Sequence, residues 1–165
     1  MIQIQSGSFQ ECVDLSNQIP EFDSPYALDE YEKRCEGAHL SLNAFVDEKP
    51  VGFKVGYDRF KDGSFYSWMG GVLPKYRRQK VADTLADKQE NWTKERGYIA
   101  IRLKTRKKHQ AMLEFCIQRG FVIIEEITKP LNQNLGSGWK NSYKYVAAKR
   151  DFTTIETQRF SSDHD

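Results

Sequence analysis

The sequence is poor in cysteine, long apolar runs and net charge. Its three cysteines, Cys12, Cys35 and Cys116, are widely spaced, odd in number and without a Cys-x-x-Cys pair. That pattern argues against a disulfide framework and against a zinc site, so no metal is expected and a reducing, cytoplasmic compartment is. No stretch approaches the roughly 20 apolar residues needed to span a bilayer. The opening MIQIQSGSFQ has neither a basic segment nor an apolar one behind it, so it does not read as a secretory leader. Twenty-five basic and 23 acidic side chains leave a formal charge of only +2, which by itself implies neither a nucleic-acid nor a membrane partner. There is no internal repeat and no low-complexity linker. What is present is 165 residues, 39% hydrophobic and 29% charged, enough for one domain with a buried core.

Periodicity places the elements. Ile2 and Ile4 mark a short strand over residues 1–5. Ser8 and Glu11 stand at capping-box spacing, which predicts a helix with Phe9, Cys12, Val13 and Ile19 inward. Ser24-Pro25 predicts a second helix start, with Leu28, Tyr31 and Cys35 on one face. Residues 39–58 alternate as a hairpin around a turn at Asp47-Glu48-Lys49-Pro50. Lys61-Asp62-Gly63 turns the chain into a long strand from Ser64 to Leu73. The longest helix is expected from about Arg78 to Arg96, closed by Gly97. Ile99, Ile101 and Leu103 mark another strand. A helix over about Lys108 to Arg119 should bury Met112, Leu113 and Cys116 and end at Gly120. Two strands, Phe121–Ile127 and Ser142–Ala148, flank a polar loop from Lys129 to Asn141. The domain is expected over 1–149, with 150–165 as a tail. The strand-helix-strand unit needs a parallel pair and the hairpins need antiparallel ones, so the sheet is mixed.

One segment carries chemistry. In Gly70-Gly71-Val72-Leu73-Pro74-Lys75-Tyr76-Arg77-Arg78-Gln79-Lys80-Val81-Ala82-Asp83 a strand ends, a basic turn follows and a helix opens. A first helical turn has unpaired N–H groups and the positive end of the dipole, which suit a phosphate. Lys75, Arg77, Arg78 and Lys80 add cations, and Ala82 allows close approach. Gly70-Gly71 within a strand suggests a bulge or an uncovered backbone to which a ligand could hydrogen-bond. An amide-bearing arm along a strand with a pyrophosphate at a helix start describes coenzyme A. Solvated basic surface and a structural glycine kink are the other reading of the same residues.

The pattern Val72-x-Pro74-x-Tyr76-Arg77-Arg78-x-x-Val81-Ala82-x-x-Leu85 resembles the acetyl-CoA signature of the GNAT family of N-acetyltransferases, whose motif runs Gln/Arg-x-x-Gly-x-Gly/Ala. Arg77 and Ala82 match its ends, and Lys80 stands at the central glycine. His109 to Phe121 resembles a second family segment, with Gly120-Phe121 in place, His109 where the family has Asn and Cys116 where it has Tyr. The resemblance covers about residues 38–148. It implies a single-domain α/β fold of the α+β type, a mixed, mostly antiparallel sheet of about seven strands with about four helices. It implies transfer of an acetyl group from acetyl-CoA to a primary amine by direct attack. It assigns cofactor contacts to Gly70, Gly71, Val72, Arg77, Arg78, Gln79, Lys80, Val81, Ala82, Asp83 and His109.

Three points stay open at this level. The strand from Ser64 carries no Glu to serve as base, and Asp58 is the nearest candidate, acting through water. The proton for the leaving thiolate is assigned to Tyr66 or Cys116, each of which also reads as core or groove wall. The run Lys104 to His109 reads as a solvated loop, a contact for the cofactor's 3′-phosphate or, without interleaved aromatics, a poor nucleic-acid patch. Asp23, Asp29 and Glu30 would favour a cationic acceptor, a small molecule or a peptide amine. Relatives often pair through strands near the C-terminus, so a homodimer is an assembly to test. The competing functions are a regulatory module that holds acetyl-CoA without turnover, and a phosphate- or RNA-binding α/β domain.

Overall fold

β1 (Ile2–Ser6) runs into α1 (Phe9–Ser16), whose start is fixed by its cap. The Glu11 N–H donates to Ser8 Oγ at 3.2 Å. Only half of the expected capping box forms, because the Glu11 carboxylate accepts from Asn43 Nδ2 at 2.5 Å instead of returning to residue 8. The coordinates are a computed structural model that describes residues 1–106, 108–126 and, as backbone, 127–128 and 143–150. The loop expected at 129–141 lies outside the described residues, as do positions 151–165 of the expected tail; Arg150 itself belongs to the last strand. Two compact units make up the chain, Met1–Ile101 and Arg102–Asp165.

In the first unit, α2 (Leu28–Arg34) begins three residues after the Ser24-Pro25 start that the sequence suggests, with Ala27 at its cap position. Tyr26 stays off the helix because its ring is engaged elsewhere, 5.2 Å from the Trp68 ring and under the Arg34 guanidinium. β2 (His39–Val46) and β3 (Lys49–Tyr57) form the expected hairpin. Its turn is tighter than the sequence suggests: only Asp47 and Glu48 lie outside the strands, at φ 49° and 62°. Positive φ at both central residues matches the right-handed twist of the flanking strands. β4 (Ser64–Val72) pairs with β3, and β1 pairs with β2, all antiparallel, in the order β1-β2-β3-β4.

Two bulges decide which residues face which side. Ala44 pairs with Gly52 and Phe45 with Pro50, leaving Val51 as an extra residue on β3. Val55 pairs with Met69 and Gly56 with Ser67, leaving Trp68 as an extra residue on β4. Each bulge inverts the alternation of its strand. On one face Phe53, Val55, Tyr57 and Tyr66 pack with Cys12, Leu15 and Ile19 and with Tyr31 and Cys35. On the other, Leu40, Leu42, Ala44, Val51, Phe65 and Val72 pack against Val81 and Leu85 of α3 (Val81–Glu95). The sheet of the first unit is thus covered on both faces. Gly97, at φ 81°, ends α3 as expected, its N–H donating to the Lys94 carbonyl at 3.1 Å.

β5 (Ala100–Arg106) carries the chain into the second unit; Ile99 precedes it, exposed, with its N–H on the Gly63 carbonyl. α4 (Gln110–Gln118) is shorter than expected, with His109 at its cap position. It buries Cys116, but Met112 is 36% exposed and does not join the core expected of it. Gly120 closes the helix at φ 91°, and the Phe121 N–H reaches the Cys116 carbonyl at 3.0 Å. β6 (Val122–Thr128) and β7 (Tyr143–Arg150) pair antiparallel, from Val122 opposite Ala148 to Thr128 opposite Tyr143.

Candidate functional site

The basic segment between β4 and α3 is built by its backbone. Leu73 donates its N–H to the Val51 carbonyl at 2.8 Å, which ends the strand. Pro74–Tyr76 makes one 3-10 turn, as proline at the first position favours. Arg78 and Lys80 then take left-handed conformations, at φ 57° and 68°. These positive-φ residues delay α3 to Val81, three residues after the start the sequence suggests. Lys80 is the cap residue of α3, and its side chain makes no capping hydrogen bond. Its carbonyl accepts the first helical bond, from the Thr84 N–H at 3.0 Å, and the Thr84 hydroxyl at 2.6 Å. Lys80 thus offers no side-chain cap to the leading N–H groups of α3.

The side chains around this turn divide. Arg77 forks onto Glu21, both oxygens at 2.7 Å, and its Nε donates to the Val72 carbonyl at 3.1 Å. It works as a strut between β4 and the segment after α1. Gln79 donates to the Lys75 carbonyl at 3.2 Å. Lys80 points outward, 84% exposed, with Asp83 at 3.9 Å. Val81 is buried against the sheet.

The two glycines of β4 are regularly paired with Lys54 and Phe53 of β3. The bulge that the sequence suggests at Gly70-Gly71 lies two residues earlier, at Trp68. Space explains Gly71: a Cβ there would sit 2.7 Å from Ile19 Cδ1 and 3.3 Å from the Phe22 ring. The segment fastened by Arg77 and Glu21 thus lies directly over Gly71. A Cβ on Gly70 would approach the Phe53 carbonyl to 3.3 Å. Both glycines are partly exposed.

The Trp68 bulge lets Trp68 and Met69, though consecutive, both face α1 and α2. An aromatic floor surrounds it. Trp68 lies 4.8 Å from Tyr31 and 6.0 Å from Tyr57, and Tyr57 stands edge-on to Tyr66 at 5.7 Å. Two guanidiniums sit on this floor. Arg34 lies over Trp68 at 4.8 Å and is held by Glu30 at 2.7 Å and the Tyr57 hydroxyl at 3.3 Å. Arg59 lies over Tyr66 at 4.9 Å and Phe60 at 5.5 Å. Burial raises the Tyr66 phenol above the ordinary range; Arg59 and Arg34 pull it the other way without overcoming that. Glu30 is neutralised by Arg34, which removes it as the lure for a cationic acceptor.

A family model for acetyltransferases (GNAT) matches residues 7–121, well over half of the chain. The protein belongs to the GNAT family. It is, with that family, an acetyl-CoA-dependent N-acetyltransferase. No curated protein sequence matches it. Solved structures share its fold. The ribosomal-protein-S18-alanine N-acetyltransferase of Escherichia coli superposes with a TM-score of 0.76 at 14% identity, covering 97% of this chain and 100% of that one. Ard1 of Thermoplasma volcanium gives 0.73 at 17% identity, covering 90% and 97%. The PaiA N-acetyltransferase of Thermoplasma acidophilum, solved in complex with coenzyme A, gives 0.67 at 14%, covering 92% and 99%. The α/β fold expected from the sequence, mixed and mostly antiparallel with four helices, is the GNAT one.

The GNAT motif residues are thus brought together in the first unit: Gly70, Gly71 and Val72 on β4, Arg77 to Lys80 in the turn, and Val81 to Asp83 on α3. Tyr66 lies on the same strand. His109 and Cys116 lie in the second unit, at the cap and on the buried side of α4. Asp58 closes its own loop, with Oδ1 accepting from the Lys61 N–H at 3.2 Å. No helix among the described residues is long and apolar enough to cross a membrane, and no cluster of metal-ligating side chains occurs among them. Sequence reasoning missed Glu21, Arg34 and Arg59. Glu21 is 56 positions from Arg77, and nothing local marks either arginine as stacked.

Proposed function

We propose that this GNAT protein acetylates a primary amine, on a small molecule or a peptide, by direct attack on the thioester of acetyl-CoA. The observation that carries the reading is the backbone at Lys80. The residue that replaces the motif glycine holds the left-handed conformation glycine favours and leaves the start of α3 without a side-chain cap. A pyrophosphate suits those N–H groups and the positive end of a helix of 15 residues. Gly70, Gly71 and Val72 would offer backbone groups to the pantetheine arm and the thioester carbonyl, and Arg78, Gln79, Lys80, Val81, Ala82 and Asp83 the phosphate cradle. Arg77 supports that cradle through Glu21. Holding the reactants in line supplies much of the rate. Tyr66, kept protonated by burial, and Cys116 are the two candidates for protonating the leaving thiolate.

The test is the melting temperature with acetyl-CoA, against ATP and dephospho-CoA. Ligand at about 100 times its dissociation constant adds roughly 2.7 kcal/mol, on the order of 5–10 °C for a chain of this size. That shift with acetyl-CoA and little with ATP is the expected result; its absence at millimolar acetyl-CoA defeats the reading. Release of free thiol on adding amines then separates a transferase from a protein that only holds acetyl-CoA.

A further inference from the structure

The face of β4 that packs towards α1 and α2 has a charge that the sequence does not suggest. Four carboxylates in and beside it are already engaged. Glu30 is spent on Arg34 and Glu21 on Arg77. In the loop between β3 and β4, Asp58 accepts from the Lys61 N–H, and Asp62 accepts from the Ser64 N–H at 2.9 Å and the Ser64 hydroxyl at 2.5 Å. Arg59, in the same loop, forms no ion pair among the described residues. It is exposed, with its guanidinium carbon 4.9 Å from the Tyr66 ring centre and 5.5 Å from that of Phe60, and it hydrogen-bonds the Tyr66 phenol. A guanidinium has five N–H donors, so one held on aromatic rings and a phenol keeps others for a carboxylate, which it binds in a fork. The floor beside it is apolar and open: Phe60 is 36% exposed, Tyr26 39%, and Trp68 partly so. Tyr66, Trp68 and Met69 share this face, leading along β4 to Gly70-Gly71.

We propose that Arg59, braced over Tyr66 and Phe60, is a specificity residue that selects an acceptor carrying a free carboxylate beside an apolar body. The inference rests on the acetyltransferase reading above. Asp23 and Asp29 are exposed, while the floor carries the Arg34 and Arg59 guanidiniums. A lysine at position 59 would keep the charge but lose the fork and much of the stacking.

The experiment is calorimetric binding of N-acetylphenylalanine and N-acetylphenylalaninamide to the coenzyme A complex. These probes are acetylated, so amine basicity plays no part. The carboxylate is expected to bind about tenfold tighter than the amide, as one charge-assisted fork would give. In Arg59→Gln the two should bind alike, and Arg59→Lys should recover part of the preference. Should Arg59→Gln not fold, the wild-type ratio and Arg59→Lys still decide. Equal binding of the two probes by the wild type, no binding of either while coenzyme A binds, or an Arg59→Gln protein that keeps the full preference overturns the proposal. Failure of coenzyme A to bind, with the carboxylate preference intact, sinks the acetyltransferase reading and leaves Arg59 as an anion site.

Discussion

Replacing Lys80 with glycine should stabilise this protein. Lys80 sits at φ 68° and ψ 10°, where a Cβ crowds the following carbonyl. That conformation costs a residue with a side chain roughly 1–2 kcal/mol. Glycine escapes it but carries more entropy in the unfolded chain, an opposing term of about 0.5–1 kcal/mol. Glycine is also a better helix cap than lysine or alanine. The ammonium contributes nothing measurable, being 84% exposed and 3.9 Å from Asp83. The balance is a gain of about 0.5–1 kcal/mol, or roughly 1–4 °C in melting temperature. Lys80→Ala removes the same charge and keeps the Cβ, so it should gain nothing. Denaturant melts of the three proteins decide the matter. Equal gains for glycine and alanine would mean that the ammonium, not the backbone, carries the cost. A loss with glycine alone would mean that residue 80 is unstrained. In the acetyl-CoA series, whatever the two variants share reports the charge, and whatever separates them reports the backbone that presents the α3 N–H groups.

Other perturbations test other parts of the structure. Gly56→Ala places a Cβ 2.6 Å from the Tyr66 carbonyl and against the Phe65 ring, so it should lower stability by about 2 kcal/mol or more, read as a denaturant midpoint. Gly71→Ala meets only the side-chain tips of Ile19 and Phe22; it should cost less stability, about 1 kcal/mol, yet reduce the acetyl-CoA melting shift if the pantetheine arm runs along β4. Burial pushes the Cys12 and Cys35 thiols from the ordinary 9 up to about 11. Their folded values are raised, so the stability they confer is complete below pH 9 and is lost as pH climbs to about 11, on the order of 2 kcal/mol for Cys12 and less for the less buried Cys35. Cys12→Ala should flatten that decline in urea melts; an unchanged slope refutes the assignment. Tyr66→Phe and Cys116→Ala separate the two thiolate acids: the variant that lowers kcat by tenfold or more, with KM for acetyl-CoA held, identifies the donor.

Much of this was legible because it is local. The alternation of Phe53 to Tyr57, the stop at Gly97 and the close at Gly120 depend on near neighbours, and the helix-start motif is contiguous. What escaped depends on contacts across the fold. Phe53, Val55 and Tyr57 face α1 and α2 while Val51 faces α3, and only the extra residue on β3 explains the switch. Strict alternation cannot announce it. The helix expected at Ser24-Pro25 starts late because Tyr26 is held by Trp68 and Arg34. Arg77 fits the family's phosphate motif by position, yet its guanidinium belongs to Glu21. A motif constrains the path of the backbone more tightly than the task of each side chain.

Lys80 makes the same point from the other direction. As a residue type it breaks the motif, since glycine there is read as a requirement for close approach. The turn keeps the glycine conformation regardless, with a second left-handed residue at Arg78. Two strained residues in three positions persist only where surrounding structure holds them. Here the hold comes from the 3-10 turn after Pro74, from Arg77 locked between Glu21 and the Val72 carbonyl, and from Val81 buried against Gly52 and Val72. The two left-handed residues fit the phosphate cradle proposed above, and the Lys80 ammonium lies exposed beside Asp83.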